Sequence, residues 1–288
     1  MDEGSRKPAG VNVARPAPPA PAGYLGHSTT LVGIPAGLLA STDFNDYPLP
    51  LRISGTRETN RGLFERLVRC ADAAEMASCF QDYMDVLFGF EPEQHKGTGS
   101  DGRRRFRASY LRLLKGWAFD PNGREAAVLK GWVESRFGLF PTFHKAVIER
   151  FSAPAWIAYV EEKMSSRFHN NSINMQLDLL YEFCQWALAR FRSKGRKHLT
   201  LYRGTNNFDE HPVLQRIDKH HAVVRLNNLV SFTAERDVAC QFGDWILEVQ
   251  VPRVKILFFS ELLPLHALRG ESEFLAIGGD YRVKVRSL

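Results

Sequence analysis

The sequence predicts an α+β protein, mainly helical through its first two-thirds and β-rich through its last third. Three observations carry that expectation. Apolar residues recur at helical spacing in successive blocks from Leu63 to Phe191. From His198 onward the period shortens to alternating runs closed by Gly, Pro or polar turns. No internal repeat is visible, which excludes a repeat array.

Residues 1–23 are Pro- and Ala-rich, as in Pro16–Ala22. They hold too few large apolar groups to offset ordering entropy, so a disordered tail is expected. From Tyr24 to Arg57 short apolar pieces are punctuated by Gly, Pro, Ser and Thr, which reads as loops on a core. Thr59 reads as the cap of a helix carrying Leu63, Leu67, Phe80, Met84 and Leu87, broken once near Asp72. Gly97–Gly102 matches G-x-G-x-x-G, but the segment before it is polar and not a strand, so it reads as a loop. Helices are expected at Phe106–Ala118, Arg124–Phe137, Thr142–Phe151, Ala155–Phe168 and Ile173–Phe191, separated by Asp120–Gly123, Pro141 and Pro154. Strands are expected at His198–Gly204, Ala222–Leu226, Asn228–Thr233, Trp245–Val251, Val254–Ser260, Glu273–Ile277 and Tyr281–Val285, with a short helix from Ala234 to Phe242. The chain thus divides into a tail (1–23), a mainly helical region (24–197) and a β-rich region (198–288).

Bulk composition narrows the class. With 288 residues, 44% hydrophobic and 11% aromatic, the chain can bury one large core or two modest ones. A net charge of +6 favours an acidic partner surface or a polyanionic ligand. No nucleic-acid motif accompanies the Arg103–Arg107 and Arg190–Lys197 clusters. Cys70, Cys79, Cys184 and Cys240 form no C-x-x-C and have no histidines at ligand spacing, which argues against a disulfide framework or a metal site. Asp2 and Glu3 open the chain, no secretory h-region follows, and no apolar run approaches the ~18 residues of a membrane span. A cytoplasmic protein is expected.

One short stretch carries chemistry. Glu271 and Glu273 sit two apart in Gly270-Glu271-Ser272-Glu273, at the mouth of an expected strand. Period-2 geometry puts both carboxylates on one face. Like charges that close cost stability unless a cation or a reaction uses them. Two further fragments precede it, Leu201-Tyr202-Arg203-Gly204-Thr205 and Val230-Ser231-Phe232-Thr233.

In this order the three fragments resemble the arginine–serine–glutamate signature of mono-ADP-ribosyltransferases, and the E-x-E form resembles their arginine-modifying branch. Gly26–Ala36 and the helical middle resemble the NAD+–dinitrogen-reductase ADP-ribosyltransferase family over about residues 24–288. Thr233 stands where many relatives carry a second serine. The resemblance implies two small antiparallel sheets around an NAD cleft, and NAD+ as co-substrate without a metal. It further implies dinitrogenase reductase, the nitrogenase iron protein, as the substrate whose arginine is modified. A PII signalling protein is the implied controller.

The chemistry assigns roles to these residues. Cleavage at the nicotinamide ribose has an oxocarbenium-like transition state. Glu273 is expected to face that cation, and Glu271 to pair with the incoming guanidinium and take its proton. Arg203 is expected to bind a cofactor phosphate or brace the cleft. Ser231 would position Glu273, and Tyr202 and Phe232 are candidate walls for the nicotinamide. By resemblance Gly204 meets the nicotinamide amide through its backbone, Thr233 joins the cofactor-binding set, and Phe258–Gly270 forms the target-recognition loop. The competing expectations are transfer to another protein, simple NAD hydrolysis, or a non-enzymatic basic binding module for an acidic protein or nucleic acid.

Overall fold

The computed structural model describes residues 24–90, 109–164, 171–192, 195–206, 208, 210–263 and 272–287. The Pro/Ala-rich tail, the Gly97–Gly102 stretch and the start of the Phe106–Ala118 helix lie outside them.

Helices α1 (Ala36–Ala40) and α2 (Thr42–Asp46) occupy the stretch expected to be loops. The Ser41 hydroxyl between them accepts from the Phe44 amide, so a cap creates a helix too short to show periodicity. Thr59 closes α3 (Thr56–Thr59) and does not open the next helix, which is α4 (Arg61–Leu67). The expected break is the start of α5 (Ala73–Phe88): Asp72 accepts from the Glu75 amide at 2.9 Å, and the Glu75 carboxylate accepts from the Ala71 amide at 2.7 Å. Next come α6 (Tyr110–Phe119) and α7 (Arg124–Phe137), the latter ended by Gly138 in the left-handed region.

The helix expected at Thr142–Phe151 is instead a small hairpin, β1 (Phe143–His144) and β2 (Ala146–Val147). Lys145 turns it at φ +61°, and the Asn227 side chain ties it down by accepting from the Thr142 amide and donating to the Phe143 carbonyl. A tertiary tie from a residue about eighty positions away overrides the local pattern. Helix α8 (Pro154–Lys163) follows with proline in its first turn, then α9 (Asn171–Ala187), which continues as a π-helical turn at Leu188–Arg192.

The β region contains β3 (His198–Thr205), β4 (Val213–Arg216), β5 (His221–Thr233), the one-turn helix α10 (Arg236–Ala239), β6 (Trp245–Pro252), β7 (Ile256–Phe259) and β8 (Glu273–Ser287). These strands form one antiparallel sheet in the order β4-β5-β3-β6-β8-β7, and β5 also pairs with β8. The two sheets expected are therefore one hydrogen-bonded network, with β5 and β8 running through both halves. Each of these long strands merges two that the sequence reads separately.

The merging point is a bulge. The β5–β8 register shifts between Leu226 and Leu229, opposite Gly278–Gly279. A Cβ on Gly278 would lie 1.6 Å from the Asn227 carbonyl oxygen, so only glycine allows the strands to close there. The Asn228 amide donates to the Lys130 and Leu139 carbonyls, both at 2.9 Å, stitching the bulge to α7. On the other flank α9 packs on β7: the Tyr181 hydroxyl donates to the Val254 carbonyl, and Gln185 donates to the Ile256 carbonyl, each at 2.7 Å. One apolar core spans both regions, from Phe44 and Leu63 through Trp132 and Tyr181 to Phe274 and Tyr281.

Candidate active site

Sheet register brings the three sequence fragments together. Thr233 pairs with Tyr202 on one side and with Glu273 on the other, and Ser231 pairs with Leu275. Directly opposed residues share a face, so Tyr202, Ser231, Thr233 and Glu273 face one way. Ser231 is the diagonal neighbour of Glu273, within side-chain reach. Its hydroxyl donates to Glu273 Oε1 at 2.5 Å.

Trp117 of α6 reaches the same serine: its indole Nε1 donates to Ser231 Oγ at 2.8 Å. Arg203 lies under them. Its Nε donates to His211 Nε2 at 2.8 Å, one terminal nitrogen donates to the Ser231 carbonyl at 3.0 Å, and the other stands 3.8 Å from Glu210. Burial pulls the Arg203 pKa down, opposed by Glu210 and Glu273. His211 is 1% exposed and its Nδ1 has no partner among the described residues. Burial first, and the Arg203 charge second, hold its pKa well below the ordinary histidine value. It is therefore neutral, with Nε2 free to accept from arginine and the proton on Nδ1.

Trp117, Arg203, Glu210, Ser231 and Glu273 line a cavity of about 380 Å³. Trp117 and Lys130 enter it from the helical region, and Tyr202, Arg203, Ser231 and Glu273 from the sheet. The exposed rings of Phe119 and Phe242 also border it. Lys130 is buried on α7, donating to Asn122 Oδ1 at 3.2 Å and the Phe143 carbonyl at 3.1 Å. Burial lowers its pKa to about 8.

Other expected residues have internal work to do. Gly204 borders the cavity, but an added Cβ there would lie 2.1 Å from the Ala239 carbonyl oxygen, so the close approach it permits is that of α10. The Thr233 hydroxyl accepts from the Glu235 amide at 3.2 Å, shaping the turn into α10. Phe232 is 3% exposed and tilts toward Tyr281, so its ring belongs largely to the core even where it borders the cavity. Ser272 adopts φ +46°, uncommon for a residue with a Cβ, and its hydroxyl donates to Glu235 at 2.7 Å. Glu271 lies outside the described residues, as do 264–270 of the expected recognition loop. The first part of that expected loop is β7, with Phe258 and Phe259 buried.

Sequence reasoning missed Trp117, Lys130, Glu210 and His211. Trp117 and Lys130 sit in amphipathic helices where they read as core and surface. Glu210 and His211 sit in a polar connection without periodicity. No linear signal distinguishes any of them.

An arginine, a serine and a glutamate from three adjoining strands thus share one cleft between a sheet and a helical layer, in an α+β chain. Among the described residues no group of His, Cys, Asp and Glu is placed to hold a metal, and no helix is long and apolar enough to cross a membrane. The model of the dinitrogenase reductase ADP-ribosyltransferase family matches residues 29–285. The NAD(+)–dinitrogen-reductase ADP-D-ribosyltransferase of Rhodospirillum rubrum is 58% identical over 266 residues, covering 92% of this chain and 96% of that protein. No solved structure matches. The chain belongs to the dinitrogenase reductase ADP-ribosyltransferase family.

Proposed function

We infer that this protein transfers ADP-ribose from NAD+ to an arginine of dinitrogenase reductase and so inactivates nitrogenase. Family membership supports the reaction and the substrate. The observation that carries the mechanism is the Ser231–Glu273 hydrogen bond inside a cavity braced by Arg203.

The bond between C1′ of the ribose and the nicotinamide nitrogen breaks, and its electron pair leaves with neutral nicotinamide. Positive charge develops on the ribosyl ring. Glu273, aimed by Ser231, faces that charge and stabilises it. An arginine nitrogen then forms the new bond to C1′. Arginine arrives protonated and is a poor nucleophile, so a carboxylate must align it and take a proton; Glu271 has that role. The donor set suits the co-substrate: the aromatic face of Tyr202 for a planar base, and the cationic Arg203 and Lys130 for the negative pyrophosphate. The helical region (24–197) walls the cleft, and the β-rich region (198–288) carries the signature residues. The net charge of +6 suits an acidic protein partner in the cytoplasm, and a PII signalling protein is the proposed controller.

The test is transfer of labelled ADP-ribose from NAD+ to purified dinitrogenase reductase. Glu273→Gln should abolish it, and undiminished transfer by that variant sinks the mechanism. Nicotinamide release that ignores added iron protein would identify a hydrolase instead.

A further inference from the structure

We propose that Trp117 is a positioning residue for Glu273, acting through the Ser231 hydroxyl. This deepens the transferase reading above and rests on it.

The case is one of hydrogen-bond direction. An indole Nε1–H can only donate, and an ionised carboxylate can only accept. Ser231 Oγ lies between them, 2.8 Å from the indole nitrogen and 2.5 Å from Glu273 Oε1. A hydroxyl has one proton. With Trp117 feeding a lone pair of Oγ, that proton is directed to Glu273. Remove the indole donor and Oγ keeps its bond to Glu273 but loses one of the two hydrogen bonds that fix its position and the direction of its proton before substrate arrives. The expected serine–glutamate contact is thus the second half of a chain that begins in the helical region.

The donor is held rigidly. Trp117 is 4% exposed, and Lys130 Nζ stands 5.9 Å from the centre of its ring. Its neighbour Gly116 seats α6 against α7: an added Cβ would lie 2.4 Å from the Glu125 Cβ. Arg112 and Glu125 cross the same contact at 3.5 Å. Helix α6 therefore has little freedom to slide along α7, and a fixed donor pre-orients the carboxylate without cost at the moment of reaction. A buried indole N–H needs an acceptor, and the acceptor it has is the signature serine whose proton goes to Glu273.

The experiment is a double-mutant cycle on transfer to dinitrogenase reductase, reading kcat and the KM for NAD+. Trp117→Phe keeps an aromatic ring and removes the donor. It should lower kcat about five- to tenfold, the worth of one hydrogen bond, with the KM for NAD+ within about twofold. In a Ser231→Ala background the same change should cost less than about twofold, because its target is gone. Equal cost in both backgrounds overturns the proposal, and so does full activity of Trp117→Phe. Should that variant fold poorly, benzothienylalanine at position 117 has the indole shape without its N–H. It must show the same fall in kcat, and wild-type kcat there overturns the proposal. Inactivity of the unmodified protein toward dinitrogenase reductase would instead overturn the reading on which the proposal rests.

Discussion

Arg203→Lys keeps a positive charge and removes a fork. The guanidinium joins His211 Nε2 at 2.8 Å and the Ser231 carbonyl at 3.0 Å, two acceptors on different segments. A single ammonium on a flexible stem reaches one of them in good geometry. The variant thus loses one charge-assisted hydrogen bond, worth about 1.5–3 kcal/mol, and leaves a buried acceptor unsatisfied. The Glu210 contact at 3.8 Å is part-exposed and adds at most about 1 kcal/mol. Since the two main costs overlap, the net destabilisation is about 2–4 kcal/mol. Urea unfolding followed by far-UV circular dichroism measures it. With a slope of about 2–3 kcal/mol per molar, the midpoint should fall by about 1 M. Transfer activity should fall further than stability, because Ser231, which aims Glu273, sits on the strand that Arg203 braces. A midpoint within about 0.2 M of the parent, with parental transfer, would refute the assignment of Arg203 as a brace.

The remaining predictions are shorter. Glu271→Gln should lose transfer to arginine while keeping part of the NAD+ cleavage, whereas Glu273→Gln loses both; nicotinamide release with and without iron protein separates them. Gly278→Ala should destabilise by about 3 kcal/mol or more, or prevent folding, because its Cβ would meet the Asn227 carbonyl; thermal melting shows it. Lys130 has a pKa lowered from 10.5 to about 8 in the folded protein, so folding disfavours its charged form. Between those two values the unfolded chain holds the proton and the native state does not, so Lys130 makes stability rise with pH across about 8 to 10.5, and its penalty is fully present below 8. Unfolding free energies of the parent minus those of Lys130→Met should show that rise, and a flat difference would contradict it.

Much of this was legible in the linear chain, for identifiable reasons. Helices α7 and α9 announce themselves by length and periodicity, and the interruption near Asp72 by the break in the apolar pattern. The Arg203, Ser231 and Glu273 fragments are legible because each has a fixed place at a strand end, where a short motif keeps its meaning. The Thr142–Phe151 segment was not legible, since its helical spacing is overruled by the Asn227 side chain. Nor was the union of four expected strands into β5 and β8, which depends on how a bulge meets Gly278 across the sheet. Gly204 shows a third case: the need for glycine could be read, but the group that makes it necessary, the Ala239 carbonyl, could not.

The chain by itself determined the α+β division and the order of the signature fragments. Those depend on residue type and on spacing within a few positions. Only the tertiary structure decided that Trp117 would meet Ser231, that a neutral His211 would hold Arg203, and that Lys130 would be buried beside the cleft. Each of those contacts joins a strand to a helix or a connecting segment, and a distance across space leaves no period along a sequence.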